Sequence, residues 1–372
     1  MLDIVNRGTV FSGGKRHYQL VRNFLPADFS WIDISVPLDE VFKQYENKKE
    51  IIVFASGDPL FYGFATTLKR EFPESEIVVF PTFNSLQMLA HRLLIPYAEM
   101  TNISLTGRSW NQLDITLLEN RDLIGVLTDK NKTPSSIASY LLDYGYANYS
   151  IYIGEKLGND DEEVKGMSLE EATKTNFITP NCLILKMLKP RKRFFGIPEK
   201  EFTHLQRREN MITKMPIRLI SLSMLELFDK QVLWDIGFCT GSVSIEAKLN
   251  FPRLIVISFE KREESREILE KNVRKFGVPG INGIIGDFLE LELENLPRPD
   301  AVFLGGHGGK LPEMIKKIKE NLNPGGVIVF NSVSSESSDI FKKSIEQQGL
   351  RVLEEHSLTL DQHNPITILK AQ

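Results

Sequence analysis

The sequence predicts an α/β protein of two successive domains, the second built on a doubly wound parallel sheet. Three observations carry that expectation. Short β-branched or aromatic runs alternate with stretches of helical periodicity through both halves. A basic, proline-bracketed stretch, Lys189–Pro198 (KPRKRFFGIP), interrupts the pattern midway and reads as a linker. The stretch Val232–Ala247 (VLWDIGFCTGSVSIEA) then gives the strand, tight glycine turn and helix of a nucleotide-binding βα unit. We expect domains at residues 1–190 and 191–372, with the linker's Arg191, Lys192 and Arg193 as a solvated connector.

In the first half, Ile51–Ala55, Glu76–Phe80, Asn102–Leu105, Leu123–Leu127, Tyr149–Ile153 and Asn181–Leu188 read as strands. Leu60–Arg70, Ser85–Leu94 and Ser135–Tyr144 read as the helices between them. In the second half, strands are expected at Val232–Asp235, Leu254–Phe259, Ile281–Ile285, Ala301–Leu304 and Gly326–Phe330. Arg351–Ser357 and Pro365–Leu369 close it as an antiparallel pair. Helices are expected at Met215–Leu227, Ser242–Leu249, Arg262–Lys275 (stopped by Gly277), Leu311–Leu322 and Ser335–Gln348.

With 372 residues the chain is long enough for two full cores, and its formal net charge of -4 gives no global pull toward nucleic acid or an anionic membrane. Its two cysteines, Cys182 and Cys239, provide no disulfide framework or metal knuckle and suit a reducing compartment. Met1–Thr9 carries Asp3, Asn6 and Arg7 and so reads as no signal peptide, and no apolar run is long enough to span a bilayer. The expectation is a soluble cytoplasmic protein without nucleic-acid or membrane partners and without a bound metal.

The turn after Asp235 indicates the ligand. A dinucleotide loop requires glycines at its first, third and sixth places, and Gly237, Cys239 and Ser242 stand there. With two of the three absent, a cofactor lacking a pyrophosphate fits better. S-adenosylmethionine is the natural candidate, since its methionyl end carries an ammonium and a carboxylate. Asp235, Glu260 and Asp287 each stand at a strand end, and in a doubly wound sheet these tips share one edge. Glu260 suits the ribose hydroxyls and Asp287 the adenine amino group. Gly305–Gly309 (GGHGG) follows the fourth strand, with glycines that let backbone approach substrate and His307 as a proton shuttle. Methyl transfer requires alignment and exclusion of water more than reactive side chains.

In the first half, Ala55–Gly63 (ASGDPLFYG) reads as a strand entering a helix, with Asp58 as cap and Pro59 in the first turn. Gly13–His17 (GGKRH) puts three potential cations beside a flexible loop and suits an anionic ligand.

Together these residues resemble a known family, the fused precorrin-6Y C(5,15)-methyltransferases (decarboxylating) of the cobalamin pathway. The first half is similar to the tetrapyrrole methylases through GGKRH, SGDPLFYG (Ser56–Gly63), FNSLQ (Phe83–Gln87) and Thr106–Gly107–Arg108. The second is similar to Rossmann-like class I methyltransferases through ITKMPIR (Ile212–Arg218), WDIGFCTGSVSIEA and Phe259–Glu260–Lys261. GDF (Gly286–Phe288), AVFLGGHGGKLPE (Ala301–Glu313) and NPITIL (Asn364–Leu369) extend that likeness. The resemblance implies one S-adenosylmethionine site per domain and methylation of two meso carbons of precorrin-6Y with loss of an acetate carboxyl as carbon dioxide. The second domain would carry the decarboxylation and one methylation, the first domain the other.

Cofactor positions implied in the second domain are Thr213, Gly237, Phe238, Cys239, Thr240, Gly241, Glu260 and Phe288, joined from the residue reading by Asp235, Asp287 and Gly305. In the first domain they are Ser56, Gly57, Asp58, Phe61 and Tyr62. Lys15, Arg16, Arg108, Lys214, Arg218 and Lys310 become anchors for the substrate's carboxylates. Family precedent implies a homo-oligomer built through the second domain. Two departures stand out: the family's first strand with its GxGPG loop is missing, and Cys239 replaces the middle glycine of GxGTG, adding a side chain beside the cofactor. The alternative reading is a methyltransferase of RNA or another small molecule, with the first domain a non-catalytic binding module.

Overall fold

The computed structural model describes residues 2–208, 210–360 and 365–372. Two units emerge by contact density: Met1–Ala98 with Gly154–Val164 and Pro180–Cys182, and Glu99–Ile153 with Lys165–Thr179 and Leu183–Gln372.

The first unit holds α1 (Leu2–Arg7), β1 (Val10–Gly13), α2 (Lys15–Val21), β2 (Ser30–Asp33), α3 (Asp39–Glu46), β3 (Ile52–Val53), α4 (Phe64–Glu71) and α5 (Ser85–Leu93). Its sheet has the order β2-β1-β3, with both pairings parallel. Ile32, Val41 and Tyr45 pack with Phe64, Leu68 and Phe72 behind it, and the Tyr45 hydroxyl donates to Ser12 Oγ. The FNSLQ segment is a capping box: Asn84 Oδ1 accepts from Gln87 N–H, and Gln87 Oε1 accepts from Asn84 N–H.

Three local expectations change here. Glu76–Phe80 forms no strand, and Val78 is 67% exposed. A β-branched run becomes a strand only where a neighbouring edge takes its backbone groups, and among the described residues none pairs with it. The helix after SGDP starts at Phe64, not Leu60, with Gly63 as N-cap. Asp58 instead accepts from Leu60 N–H in a local turn. GGKRH is no flexible loop, because Gly13 ends β1 and Lys15 begins α2.

The second unit contains a seven-stranded sheet and most of a five-stranded one. The five-stranded one runs β4-β5-β8-β6-β7, from β4 (Thr101–Ser104), β5 (Leu123–Leu127), β6 (Tyr149–Glu155), β7 (Glu163–Met167) and β8 (Asn181–Met187). The helices α6 (Asn111–Leu118), α7 (Pro134–Asp143) and α8 (Leu169–Ala172) belong to it.

The seven-stranded sheet comprises β9 (Val232–Ile236), β10 (Ile255–Glu260), β11 (Ile281–Ile285), β12 (Ala301–Leu304), β13 (Val327–Ser332), β14 (Val352–Leu358) and β15 (Ile366–Ala371). Its order is β11-β10-β9-β12-β13-β15-β14, parallel except at β15, which is antiparallel to both neighbours. The order reverses between β9 and β12, which is where such a sheet opens a ligand crevice. Helices α9 (Met215–Met224), α10 (Ser242–Asn250), α11 (Glu264–Phe276), α12 (Leu311–Asn321) and α13 (Ser335–Gln347) cover its two faces. In β9, Val232, Trp234 and Ile236 enter one core and Leu233 enters the opposite one. Burial on both faces explains why the strand reads as a continuous apolar run. Gly277 ends α11 at φ 64°, in the left-handed conformation that suits glycine.

The linker is not a solvated connector. The Arg191 guanidinium stacks on Tyr146 at 4.4 Å and donates to Tyr144 O, and Arg193 donates to Glu119 O. Tyr146 donates in turn to Gly277 O at 2.8 Å. Leu118 shares an apolar cluster with Ile197, Phe202, Ile245, Phe276 and Val278. Beneath it lies an ion pair with no exposed side-chain surface, Arg218 Nε to Glu246 Oε2 at 2.7 Å. Glu246 also accepts from Gly196 N–H and Ile197 N–H, while Arg218 donates to Thr213 O and Ile197 O. Removing one member of such a pair strands a buried charge. Arg218→Ala is therefore expected to cost about 3–5 kcal/mol, read by urea denaturation. Arg218→Met with Glu246→Leu should not recover this loss, because the backbone groups of the linker lose their partners too.

Candidate active site

Site geometry begins at the end of β9. Gly237 N–H and Phe238 N–H both donate to Phe259 O, folding the chain sharply over β10. Gly237 has φ 83°, and a Cβ there would lie 3.1 Å from Gly306 N, so backbone conformation and close approach both require glycine. Gly241 has φ 76°, and a Cβ there would sit 2.3 Å from Leu269 Cδ1. It serves the packing of α10 on α11.

Cys239 takes φ 52°, a strained choice for a side-chain-bearing residue. Its thiol donates to Met211 O at 2.8 Å and packs among Leu205, Met211 and Ile268. Burial pushes that thiol up to about 11. Its N–H donates to Glu260 Oε2 at 3.1 Å.

The strand-end carboxylates differ in their surroundings. Glu260 Oε1 accepts from Lys261 N–H, Arg262 N–H and Arg262 Nη1, whereas among the described residues Oε2 accepts from Cys239 N–H alone. Spare acceptor capacity therefore lies on Oε2. Asp235 is 1% exposed, and its Oδ2 accepts from the N–H and hydroxyl of Ser244. Among the described residues its Oδ1 is buried without a partner, and burial pushes the carboxyl up to about 7, with the Glu260 charge adding to the rise. Asp287 is held below the usual carboxylate range, chiefly by the Leu289 N–H, and faces Lys310 at 3.5 Å.

After β12, Gly305 N–H donates to Ile236 O, Gly308 and Gly309 take φ 54° and 84°, and a Cβ on Gly306 would meet nothing within 4 Å. His307 Nδ1 accepts from Gly309 N–H at 3.2 Å, and its ring stands edge-on to Phe330.

These tips open into one cavity of about 910 Å³, at the upper end of the range for small-molecule sites. Thr213, Lys214, Asp235, Gly237, Phe238, Cys239, Glu260, Asp287, Phe288, Gly305, His307 and Lys310 all line it. Thr240 and Gly241 do not: Thr240 is 1% exposed and gives its carbonyl to Asn272. Arg218 is corrected from substrate anchor to structural residue, since its guanidinium is wholly buried and paired with Glu246. Sequence reasoning missed the apolar wall of Met314, Val333, Leu358, Leu360 and Ile366, and Asn331 among it. Those positions lie on separate elements, and only the sheet order brings them together. Asn364, which opens the NPITIL segment, lies outside the described residues.

The cavity fits S-adenosylmethionine on two observations of its own. Asp235 Oδ1 is an orphaned buried acceptor suited to an ammonium, and the glycine lining leaves backbone uncovered where a cofactor has to approach.

In the first unit, Gly57 takes φ 64° and Tyr62 φ 53°, and the Phe61 and Tyr62 rings meet edge to face at 5.1 Å. Gly63 is explained sterically, because a Cβ there would sit 2.4 Å from Pro59 O. Ser56 Oγ lies 2.8 Å from His17 Nε2. Lys15 and Arg16 are exposed on α2, and in the second unit Arg108 is exposed beyond β4.

Two family models match: one described as Tetrapyrrole (Corrin/Porphyrin) Methylases over residues 8–173, and one described as Precorrin methyltransferase domain over residues 204–367. The chain is 28% identical over 338 residues to a precorrin-6Y C(5,15)-methyltransferase [decarboxylating] of Sinorhizobium sp, covering 90% of this chain and 80% of that protein. It is 39% identical over 160 residues to a probable cobalt-precorrin-6B C(15)-methyltransferase (decarboxylating) of Pyrobaculum aerophilum, covering 42% of this chain and 79% of that one. Among solved structures, a precorrin-6y C5,15-methyltransferase from Geobacter metallireducens is 32% identical with a TM-score of 0.45, covering 49% of this chain and 99% of that chain. A tetrapyrrole methylase half followed by a precorrin methyltransferase half, matched along nearly the whole length, makes this chain a member of the precorrin-6Y C(5,15)-methyltransferase (decarboxylating) family, enzymes that use S-adenosylmethionine in cobalamin biosynthesis.

Proposed function

We propose that this chain methylates two meso carbons of precorrin-6Y and releases an acetate carboxyl as carbon dioxide, with one S-adenosylmethionine site in each half. The boundary between the halves is taken at residues 190–191, within the linker. The C-terminal half carries the decarboxylation and one methylation, and the N-terminal half the other methylation. The observation that supports this most is the cavity at the β9–β12 reversal, with a cofactor-sized polar side and an apolar side roomy enough for part of a large ring.

Bound there, S-adenosylmethionine supplies an electrophilic methyl group. Asp235 Oδ1 accepts from the ammonium, Glu260 Oε2 from a ribose hydroxyl, and Asp287 from the adenine amino group. Gly305 and Gly306 leave space for the ring to lie close. Lys214 and Lys310 pair with the substrate's peripheral carboxylates. Met314, Leu358 and Leu360 form an apolar side, and an acetate carboxylate moved among them loses its hydration, which favours its departure as carbon dioxide. The bonding pair stays on the methylene carbon, which then takes up a proton. His307 Nε2 exchanges the proton that the ring gains or loses.

Three outcomes test this reading. Glu260→Ala should weaken S-adenosylhomocysteine binding at the C-terminal site about 10–100-fold by titration calorimetry, the value of a charged hydrogen bond. Unchanged affinity would remove Glu260 from the site. Gly306→Val should fold normally, because a Cβ meets open space there, and should bind cofactor normally while slowing turnover of the tetrapyrrole.

The third outcome concerns pH. Asp235 is raised from about 4 toward 7 in the folded protein, so its contribution to stability is present at low pH and is lost as pH rises through about 7. The ammonium requires the ionised form. Below pH about 7, cofactor binding should therefore release a proton, and affinity should fall by up to about tenfold per pH unit. Calorimetry at pH about 6 in buffers of unlike ionisation enthalpy reads that proton, and Asp235→Asn should abolish it.

A further inference from the structure

The GGKRH segment reads from sequence as a set of cations, but the structure gives its histidine a different role. Strands β1 and β3 are hydrogen-bonded neighbours, with Ser12 beside Val53 and Phe54 N–H donating to Ser12 O. Their ends therefore bring Gly13–His17 next to the turn that starts at Ser56, and His17 Nε2 lies 2.8 Å from Ser56 Oγ across 39 residues of sequence. His17 Nδ1 accepts from Gly14 N–H at 3.1 Å. A nitrogen that accepts carries no proton, so the neutral ring has its hydrogen on Nε2 and donates it to Ser56 Oγ. Burial and the adjacent Arg16 both lower the basicity of the ring, in keeping with the neutral form. Because Ser56 Oγ accepts from the imidazole, its own hydrogen points elsewhere and is available to a ligand.

We propose that His17 is a positioning residue of the N-terminal site, orienting the Ser56 hydroxyl so that it donates to a carboxylate of the bound ligands. This rests on the reading that the N-terminal half transfers a methyl group. The carboxylate belongs either to the methionyl end of the cofactor or to a side chain of the tetrapyrrole, and kinetics separate the two. Serine alone rotates freely. With the imidazole fixed by Gly14, the hydroxyl retains one orientation, and less freedom is lost when the ligand binds.

The bland account is that His17 only caps α2 through Gly14. Two substitutions separate the roles. His17→Asn can still accept from Gly14 N–H but is too short to reach Ser56. His17→Gln places an amide N–H near the position of Nε2. Full-length protein is incubated with S-adenosylmethionine and precorrin-6Y, and mass spectrometry follows the methyl groups added and the carbon dioxide lost. His17→Ala and His17→Asn are expected to slow the methylation not coupled to decarboxylation about tenfold, and His17→Gln to restore most of it. A raised KM for S-adenosylmethionine assigns the carboxylate to the cofactor, and a raised KM for the tetrapyrrole assigns it to the substrate. Either supports the proposal. It is overturned if His17→Asn is as active as the unaltered chain, or if His17→Gln is as slow as His17→Ala. If the unaltered chain adds only the methyl coupled to decarboxylation, the N-terminal reading itself fails and this proposal falls with it.

Discussion

The C-terminal site depends on one close approach of backbone to backbone. Where the strand order reverses, the turn after β9 and the turn after β12 lie against each other, and a single methyl group on Gly237 would press on Gly306 N at 3.1 Å. Gly237 N–H donates to Phe259 O and Gly305 N–H to Ile236 O, so the tips of β9, β10 and β12 are tied together before any side chain contributes. With those tips fixed, Glu260 reaches Cys239 N–H, Asp235 turns toward Ser244, and the glycines after β12 line a cavity rather than closing it. Cys239 shows how firmly the turn is specified. It occupies a left-handed conformation that disfavours a side chain, and the thiol turns into a small cluster with Leu205 and Ile268.

Charge takes its meaning from desolvation. Arg218 and Glu246 are buried and bonded to each other and to the linker backbone, so they serve the fold. Lys214 and Lys310 border the cavity, Lys310 beside the Asp287 carboxylate at 3.5 Å. Asp235 stands between these cases, with one oxygen satisfied by Ser244 and the other enclosed without a donor among the described residues, and its burial raises its proton affinity. The linker follows the same logic. Arg191 stacks on Tyr146 beside Gly277, whose left-handed φ of 64° is what favours glycine there.

Much of this was legible in the chain itself. The seven strands of the second sheet fall within a few residues of their expected places, because continuous apolar runs and glycine stops carry a strong local signal. Strand-end carboxylates and the two glycine turns were equally visible, since only a few residue types meet those backbone and ligand demands. Legibility failed where partners are distant. Glu76–Phe80 has strand composition without a neighbouring edge, and β1 and β2 went unread because Ser12 and Gly13 in one and Ser30 and Asp33 in the other break the apolar run. The wall of Met314, Val333, Leu358 and Leu360 has no motif, since any apolar residue of the right size can form it.

Sequence by itself determined the α/β class, the nucleotide-binding turn, the positions of Asp235, Glu260 and Asp287, and the likeness to a fused precorrin methyltransferase. Those features rest on local periodicity and on backbone conformations that few residues can adopt. Tertiary structure alone decided which charges line the cavity and which are spent on the fold. It separated Arg218 from Lys310, left Asp235 Oδ1 unpartnered among the described residues, left the spare acceptor capacity of Glu260 on Oε2, and joined His17 to Ser56. The reason is physical: the worth of a polar group depends on its burial and on the partners packed against it, and both come from residues far away in the chain.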